Sequence, residues 1–381
     1  MIPYGRQDIT QEDIDAVVDV LRSDFLTQGP KVPAFETAIA DHTGAGYAVA
    51  VNSATSALHI ACLALGLGAG DILWTSPITF VASANVGLLC GATVDFVDIE
   101  GDTFNMDPTA LAQKLSKAEH DGCLPKVLIP VHMCGQSCDM AAIHALAQRY
   151  GIKVIEDASH AIGGGYQGKP VGDCRYSDIT VFSFHPVKII TTAEGGVATT
   201  QDPVLAQRMA LFRSHGVTRD PSLMQGDSDG PWYYQQVELG LNYRMTEMQA
   251  ALGVSQTTRL NEFVARRNLL ADRYDAALGN LPLKRPGRHP EAYSAFHLYI
   301  IRVEAERRRA LFEALRNDGV GVNVHYIPVH LQPYYQNLGF QVGQFPVAEA
   351  TYAQSISIPL YAGLDAAAQT TVITAIESAL A

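Results

Sequence analysis

Lys188 is the residue whose surroundings most strongly suggest covalent chemistry. It follows an apolar run that ends at Ser183, and it is flanked by Ile189 and Ile190 before a polar turn that closes on Gly195–Gly196. An ammonium group among apolar side chains loses hydration, so its pKa falls and its neutral amine becomes a nucleophile. These are the properties of a lysine that forms a Schiff base. The alternative is a lysine that extends its charged end from a loop into solvent, which is the usual role of an isolated lysine.

Three other segments place polar or aromatic groups where predicted strands end. Ala54, Thr55 and Ser56 open a predicted helix, whose free N–H groups would favour a phosphate, although Ser and Thr there are also ordinary helix caps. Phe80 could stack on a planar ligand or belong to the core. Asp157 ends a buried strand, where a carboxylate is costly unless it meets a cation or a strong donor. An N-cap or a structural ion pair is the alternative for Asp157.

Taken together, these groups predict a binding site for pyridoxal phosphate. That cofactor requires a lysine for a Schiff base, a carboxylate for its ring nitrogen and a cup for its phosphate. Lys188 and Asp157 match the first two requirements, and Ala54–Ser56 with Ser183 match the third. Phe80 would stack on the ring.

The elements that must position these groups alternate between strand and helix. The predicted strands cover residues 47–51, 72–76, 93–98, 126–131, 153–156, 179–184 and 197–199, and the predicted helices cover 10–22, 54–65, 81–90, 108–117, 140–150 and 203–214. The strands are continuously apolar rather than alternating, which is typical of a parallel sheet covered by helices on both faces. Ligands of such sheets bind beyond the carboxyl ends of the strands. The chemical groups above lie at those ends.

Composition changes along the second half predict two domains. Residues 216–236 are rich in Asp, Ser, Pro, Gly and aromatic residues without periodicity, which indicates a long loop excursion. A helical pattern over 246–278, broken near Gly253, precedes a Pro- and Gly-rich boundary at 279–290. A strand at 297–303, a helix at 305–318, a strand at 320–326 and a terminal helix follow. We therefore expect an N-terminal arm and large domain over 1–280 and a smaller C-terminal α/β domain over 281–381.

Composition also excludes some classes of protein. The chain has 381 residues and a net charge of −12, which argues against a nucleic-acid surface. Its first residues lack the pattern of a secretory signal, and its most apolar window, 54–70, is too short and polar to span a bilayer. We expect a cytoplasmic protein with reduced cysteines. His132, Cys134 and Cys138 lack a second ligand pair at zinc-finger spacing, so no metal site is expected.

Longer motifs carry a resemblance to one family. The stretches 76–85 and 183–196, with the segments 3–6, 27–29 and 325–328, resemble the DegT/DnrJ/EryC1/StrS sugar aminotransferases, which are fold-type I pyridoxal-phosphate enzymes. The resemblance covers nearly the whole chain, and the two longer stretches look most like the transaminases of the pseudaminic-acid pathway.

The resemblance implies a reaction. It is the transfer of an amino group from L-glutamate to C4 of UDP-2-acetamido-2,6-dideoxy-β-L-arabino-hex-4-ulose. An acceptor with the D configuration is an alternative, because motifs do not reveal stereochemistry at C5. Dehydration of a ketosugar is another, but the family members that dehydrate carry histidine where this chain has Lys188. A non-catalytic regulatory protein would not need Asp157, Ser183 and Lys188.

The resemblance also implies roles for individual residues. Lys188 holds the cofactor and acts as the base, Asp157 keeps the ring nitrogen protonated, and His160 lies beside the 3′-oxygen. Asn242 reaches the phosphate from the neighbouring subunit, which implies a homodimer with shared active sites. The segments that border the nucleotide-sugar contain Tyr4, Phe25, Thr27, His325, Tyr326 and Pro328. The cations that could bind the diphosphate or the donor carboxylates, if they are not simply surface charges, are Arg213, His215, Arg219 and Arg244.

Overall fold

A seven-stranded sheet forms the centre of the fold in the computed structural model, which describes residues 1–381. The strands are β1 (Tyr47–Val51), β2 (Ile72–Thr75), β3 (Thr93–Phe96), β4 (Val127–Ile129), β5 (Lys153–Asp157), β6 (Gly165–Tyr166), β7 (Lys169–Pro170), β8 (Ile179–Ser183), β9 (Gly196–Thr200), β10 (Val217–Thr218), β11 (Gln235–Gln236), β12 (Ala292–Tyr293), β13 (Tyr299–Arg302) and β14 (Ser355–Ile358). The α-helices are α1 (Gln11–Leu21), α2 (Lys31–Thr43), α3 (Ala54–Ala64), α4 (Ala82–Leu89), α5 (Pro108–Asp121), α6 (Met140–Tyr150), α7 (Pro203–Arg213), α8 (Glu247–Thr257), α9 (Leu260–Ala277), α10 (Ala305–Asn317), α11 (Pro333–Gln336), α12 (Pro346–Gln354) and α13 (Ala366–Leu380).

The central sheet is mostly parallel, as the sequence predicts. Its strand order is β1-β9-β8-β5-β4-β2-β3. The pairs β2–β3, β2–β4, β4–β5 and β5–β8 are parallel, whereas β9 runs antiparallel to both β8 and β1. Two antiparallel steps make β1 parallel to β8. The carboxyl ends of β1, β5 and β8 therefore lie at the same edge of the sheet.

Helices cover both faces of this sheet, which explains why its strands are continuously apolar. Neighbouring residues of one strand point to opposite faces, so Val181 and Phe182 of β8 enter different cores. The core on one face packs α3, α4 and α7 against the strands. On the other face, α2, α8 and α9 form one core and α5 and α6 form another. The α/β fold class predicted from the sequence is confirmed.

A separate hydrophobic core lies in the C-terminal part of the chain. It joins the C-terminal part of α9 and its C-cap, from Leu270 to Leu278, to β13, β14, α10 and α13. The buried guanidinium of Arg267 also donates to the carbonyl oxygens of Phe296 and Leu360. The end of α9 is thus packed with residues beyond the predicted boundary at 280, and the division into two domains stays a prediction.

Two predicted elements differ from the structure. The long helical pattern is broken at residues 258–259 rather than near Gly253, which lies inside α8. A Cβ atom at Gly253 would lie 2.6 Å from the ring of Phe35, so glycine there permits close packing of α8 on α2. Residues 320–326 do not form a strand. Val320 and Val322 are apolar because they are buried in the C-terminal core, and β13 pairs with β14 instead.

The loop excursion contains a short antiparallel pair, β10 with β11. None of the helices combines the length and the apolar composition needed to cross a lipid bilayer.

Candidate active site

A cavity of about 960 Å³ opens at the edge of the sheet where β1, β5 and β8 end. Its lining brings together Asp157, Ser183 and Lys188, which are far apart in the sequence. Ala54, Thr55, Ser56, Phe80 and His160 also line it, as do Tyr4, His325 and Tyr326. All the groups that the sequence alone suggested for one ring-shaped ligand therefore face one space.

The first helix turn beside the cavity is built to present free N–H groups. Ser53 caps α3 by accepting a hydrogen bond from the N–H of Ser56 at 3.1 Å, and the hydroxyl of Ser56 donates to Asn52 Oδ1 at 2.6 Å. Gly196 of β9 packs against this turn, because a Cβ there would lie 2.6 Å from the backbone nitrogen of Ala54. Ser53 is the cap, so Thr55 and Ser56 remain on the cavity wall beside a helix N-terminus that attracts anions.

The carboxylate of Asp157 is held by two donors. Ser83 donates to its Oδ2 at 2.6 Å, and the N–H of Ser159 donates to its Oδ1 at 3.1 Å. Ser83 in turn shares a 2.8 Å hydrogen bond with Thr79. The sequence offers no sign of the contact with Ser83, because that residue lies 74 positions away on α4. Only the packing of α4 beside β5 creates it.

Lys188 lies in the loop after β8, where its own N–H donates to the carbonyl of His185 at 2.9 Å. Ile189 and Ile190 are buried and anchor this loop. Burial lowers the pKa of Lys188 to about 8, although the nearby carboxylate of Asp157 acts in the opposite direction. At pH 7 about a tenth of this amine is therefore unprotonated, far more than for an ordinary lysine, and this is the form that can attack a carbonyl group.

The lowered pKa can be tested in the ligand-free protein. Lys188 should become reactive toward an amine-acylating reagent with a midpoint near pH 8, because it loses its proton as the pH rises through that value. The pKa of an ordinary lysine is about 10.4. Mass spectrometry of the Lys188 peptide over a pH series measures this, and the exposed Lys169 in the same sample is the internal control. If both lysines share one midpoint, the cavity does not activate Lys188.

His160 and His325 line the cavity and a third imidazole packs against His160, and burial keeps all three neutral. Burial and the charge of Lys188 hold the pKa of His160 well below its ordinary value, and they lower the pKa of His325 to about 4. His297, which the sequence analysis did not single out, is also buried, and its ring lies 4.4 Å from that of His160. His160 further contacts the hydroxyl of Tyr326 through Nε2 at 3.3 Å. This wall therefore offers neutral hydrogen-bonding nitrogens rather than cations.

Phe80 is not a core residue, since 60% of its surface is exposed. Its ring lies 6.2 Å from that of Tyr326, which also lines the cavity. Tyr4 comes from the N-terminal arm and packs 5.4 Å from the ring of His325. These rings could enclose a planar ligand.

Several residues that the resemblance suggested lie outside this cavity. The positions not found in its lining are Phe25, Thr27, Arg213, His215, Arg219, Asn242, Arg244 and Pro328. Arg213 is paired with Glu36 at 2.5 Å and donates to the carbonyl of Ala50, so it serves an internal ion pair. Phe25, Thr27 and Asn242 are exposed, and Pro328 is buried. The cavity wall carries one lysine and no arginine.

Comparison with known proteins places the chain among sugar aminotransferases. Residues 7–377 match the model of the DegT/DnrJ/EryC1/StrS aminotransferase family. The spore coat polysaccharide biosynthesis protein SpsC of Bacillus subtilis (strain 168) is 40% identical over 367 residues, which are 94% of this chain and 92% of SpsC. A candidate sugar aminotransferase, Spr1654 of Streptococcus pneumoniae in its PMP form, superposes with a TM-score of 0.92 at 33% identity, covering 100% of this chain and 99% of Spr1654. Helicobacter pylori PseC, an aminotransferase involved in the biosynthesis of pseudoaminic acid, superposes with a TM-score of 0.90 at 32% identity, covering 100% and 99%.

Proposed function

The chain belongs to the DegT/DnrJ/EryC1/StrS aminotransferase family, and on that premise we propose that it transfers an amino group from L-glutamate to C4 of a UDP-linked 4-keto-6-deoxy-N-acetylhexosamine. The enzyme is a pyridoxal-phosphate-dependent nucleotide-sugar aminotransferase. The observation that carries the proposal is the meeting of Lys188 and Asp157 in one cavity beside the N-terminus of α3.

The residues of the cavity fit pyridoxal phosphate. The N-terminus of α3, with Thr55 and Ser56, would hold its phosphate, and the exposed face of Phe80 would cover its ring. The buried carboxylate of Asp157 would accept a hydrogen bond from a protonated ring nitrogen, and Lys188 offers an amine of lowered pKa. When bound, this cofactor supplies the electron sink that makes the Cα–H bond of an amino acid acidic.

The residues of the chain then have distinct tasks. Lys188 would hold the cofactor, and its amine would serve as the base that takes the proton from Cα of the amino donor. Asp157 stabilises positive charge on the ring nitrogen. His160 and Tyr326, joined at 3.3 Å, orient one edge of the ring. Because the donor must leave as its keto acid before the acceptor binds in the same cavity, we expect ping-pong kinetics.

The proposed acceptor is UDP-2-acetamido-2,6-dideoxy-β-L-arabino-hex-4-ulose, and the proposed pathway is the biosynthesis of pseudaminic acid. Two observations support this choice. PseC superposes on this chain over 99% of its length at 32% identity. The stretches 76–85 and 183–196 look most like the transaminases of that pathway. Tyr4, His325 and Tyr326 line the same cavity and would border the sugar.

A homodimer with shared active sites is part of the proposal. A diphosphate and a dicarboxylate donor need cations, yet the cavity wall carries no arginine. Asn242 is exposed and lies outside the cavity of its own chain, together with Arg244. Exposed apolar side chains at Phe25, Trp232 and Leu239 offer the surface that a second copy would cover.

A two-stage experiment tests the reaction. L-glutamate should convert the holoenzyme completely to the pyridoxamine form, as seen by loss of its visible absorption band. The isolated pyridoxamine form is then mixed separately with the two C5-epimeric UDP-4-ketosugars, and recovery of the band is followed. We expect the L-arabino epimer to restore it faster, by about tenfold or more. The absence of any change with glutamate would refute the proposed donor, and faster recovery with the D epimer would refute the proposed acceptor.

A further inference from the structure

A polar network is buried behind the floor of the cavity, on the face of β5 opposite Asp157. Glu156 is 5% exposed and His132 is fully buried. Nε2 of His132 lies 2.6 Å from Oε2 of Glu156. The hydroxyls of Ser177 and Thr180 donate to Oε1 of Glu156 at 2.5 and 3.1 Å. None of these side chains lines the cavity.

Such a network is not explained by stability alone. A buried charged or polar pair loses the hydration of both groups, and apolar side chains of similar volume are often at least as stable. Burial raises the pKa of Glu156, but its bonds with His132, Ser177 and Thr180 lower it further than burial raises it. The carboxylate therefore stays ionised in the interior. Its hydrogen bonds connect β5 with the segment that follows β4 and with β8.

That connection reaches both backbone groups of Asp157. The N–H of His132 donates to the carbonyl of Asp157 at 3.0 Å, and the N–H of Asp157 donates to the carbonyl of Pro130 at 2.9 Å. The ring of His132 is itself fixed, because its Nδ1 accepts the N–H of Cys138 at 3.2 Å. Both backbone groups of Asp157 are therefore hydrogen-bonded to segment 130–132. The side-chain bond between His132 and Glu156 fixes the position of that segment along β5.

The same network reaches the strand that leads to Lys188. Thr180 belongs to β8 and pairs with Glu156 in the register of the two strands. β8 ends at Ser183, five residues before Lys188. A shift of Glu156 would therefore change the separation of the two strand ends that carry the carboxylate and the lysine.

We propose that Glu156 and His132 are positioning residues that hold the carboxylate of Asp157 at the place where the cofactor's ring nitrogen binds. This inference rests on the proposed role of Asp157 and assigns a task to a buried pair that never touches the ligand. Loss of the pair should loosen Asp157 and weaken the cofactor's ring contact, while the phosphate seat at α3 stays intact.

The test uses Glu156→Gln, which keeps the volume but replaces one acceptor by a donor, so at least one of the three bonds is lost. Two quantities are measured: the dissociation constant of pyridoxal phosphate from the protein, and the pH at which the absorption of the bound cofactor changes. We expect the dissociation constant to rise about tenfold and the transition to shift. Thr180→Val removes one donor only and should change both quantities in the same direction by less.

Glu349→Gln is the matched control. It breaks a similar pair, in which Nε2 of the buried His330 lies 2.9 Å from Glu349, but away from the strand ends that carry Asp157 and Lys188. It should leave both cofactor readouts unchanged even if it lowers the melting temperature as much. If Glu156→Gln does not fold, Thr180→Val and Ser177→Ala carry the test.

Asp157→Asn separates the two ways in which the inference can fail. If it weakens cofactor binding while Glu156→Gln behaves like Glu349→Gln, the pair is only structural and the inference is overturned. If Asp157→Asn itself leaves both readouts unchanged, the proposed role of Asp157 fails, and the inference fails with it.

Discussion

Replacing Lys188 with alanine should lower the transamination rate by about 10⁴-fold or more, the largest effect expected of any single substitution. Alanine removes the covalent anchor of the cofactor and the base that moves the proton at Cα, and the other basic groups of the wall cannot take over. Burial holds the pKa of His160 and of His297 well below the ordinary value, so both imidazoles are too weak as bases to remove a proton from Cα.

The measurement combines single-turnover kinetics with borohydride reduction. In the unaltered enzyme, borohydride should attach the cofactor to the peptide that contains Lys188, and this mass should be absent from Lys188→Ala. Lys169→Ala, at an exposed position on β7, should behave like the unaltered enzyme. Covalent attachment at another lysine, or a Lys188→Ala rate within about tenfold of the unaltered enzyme, would contradict the assignment.

Asp157→Asn should lower the rate by about 10²- to 10³-fold, the range found when a preorganised polar group at a developing charge is lost. Asparagine can accept the N–H of Ser159 with its oxygen and donate its NH2 to the hydroxyl of Ser83, so the fold and the position of the side chain should be kept. It cannot, however, neutralise a protonated ring nitrogen. The loss should therefore appear in the rate of Cα proton removal more than in the Michaelis constant for the donor.

A cofactor analogue distinguishes this electrostatic effect from a structural one. Pyridoxal phosphate methylated on its ring nitrogen carries a permanent positive charge, so it should recover part of the rate lost in Asp157→Asn. Asp178→Asn is the matched control, because Asp178 lies just before β8 at the other end of the sheet, where it accepts from Lys153 and the N–H of Val154. Equal losses in both variants would show that Asp157 acts only through stability.

Much of the fold follows from local patterns in the sequence. Asp107, Asp139 and Asp202 cap helices through their side chains, and the central strands are apolar at nearly every position because both faces are covered. The errors occurred where burial resembled strand pairing, at Val320–Val322, and where a glycine in α8 serves close packing rather than a helix break. A local pattern cannot distinguish these cases, because a residue's neighbours in space are not its neighbours in the chain.

The sequence by itself determined which residue types meet the needs of the cofactor. Lys188, Asp157 and the turn at Ala54–Ser56 stand at strand ends, and parallel strands bring their carboxyl ends to one edge. Only the tertiary structure decided which partners hold them. Ser83 donates a hydrogen bond to Asp157, which lies 74 residues away in the chain, and Glu36 pairs with Arg213, which lies 177 residues away. Such contacts depend on how the helices pack on the sheet. The sequence of a single segment therefore cannot reveal them.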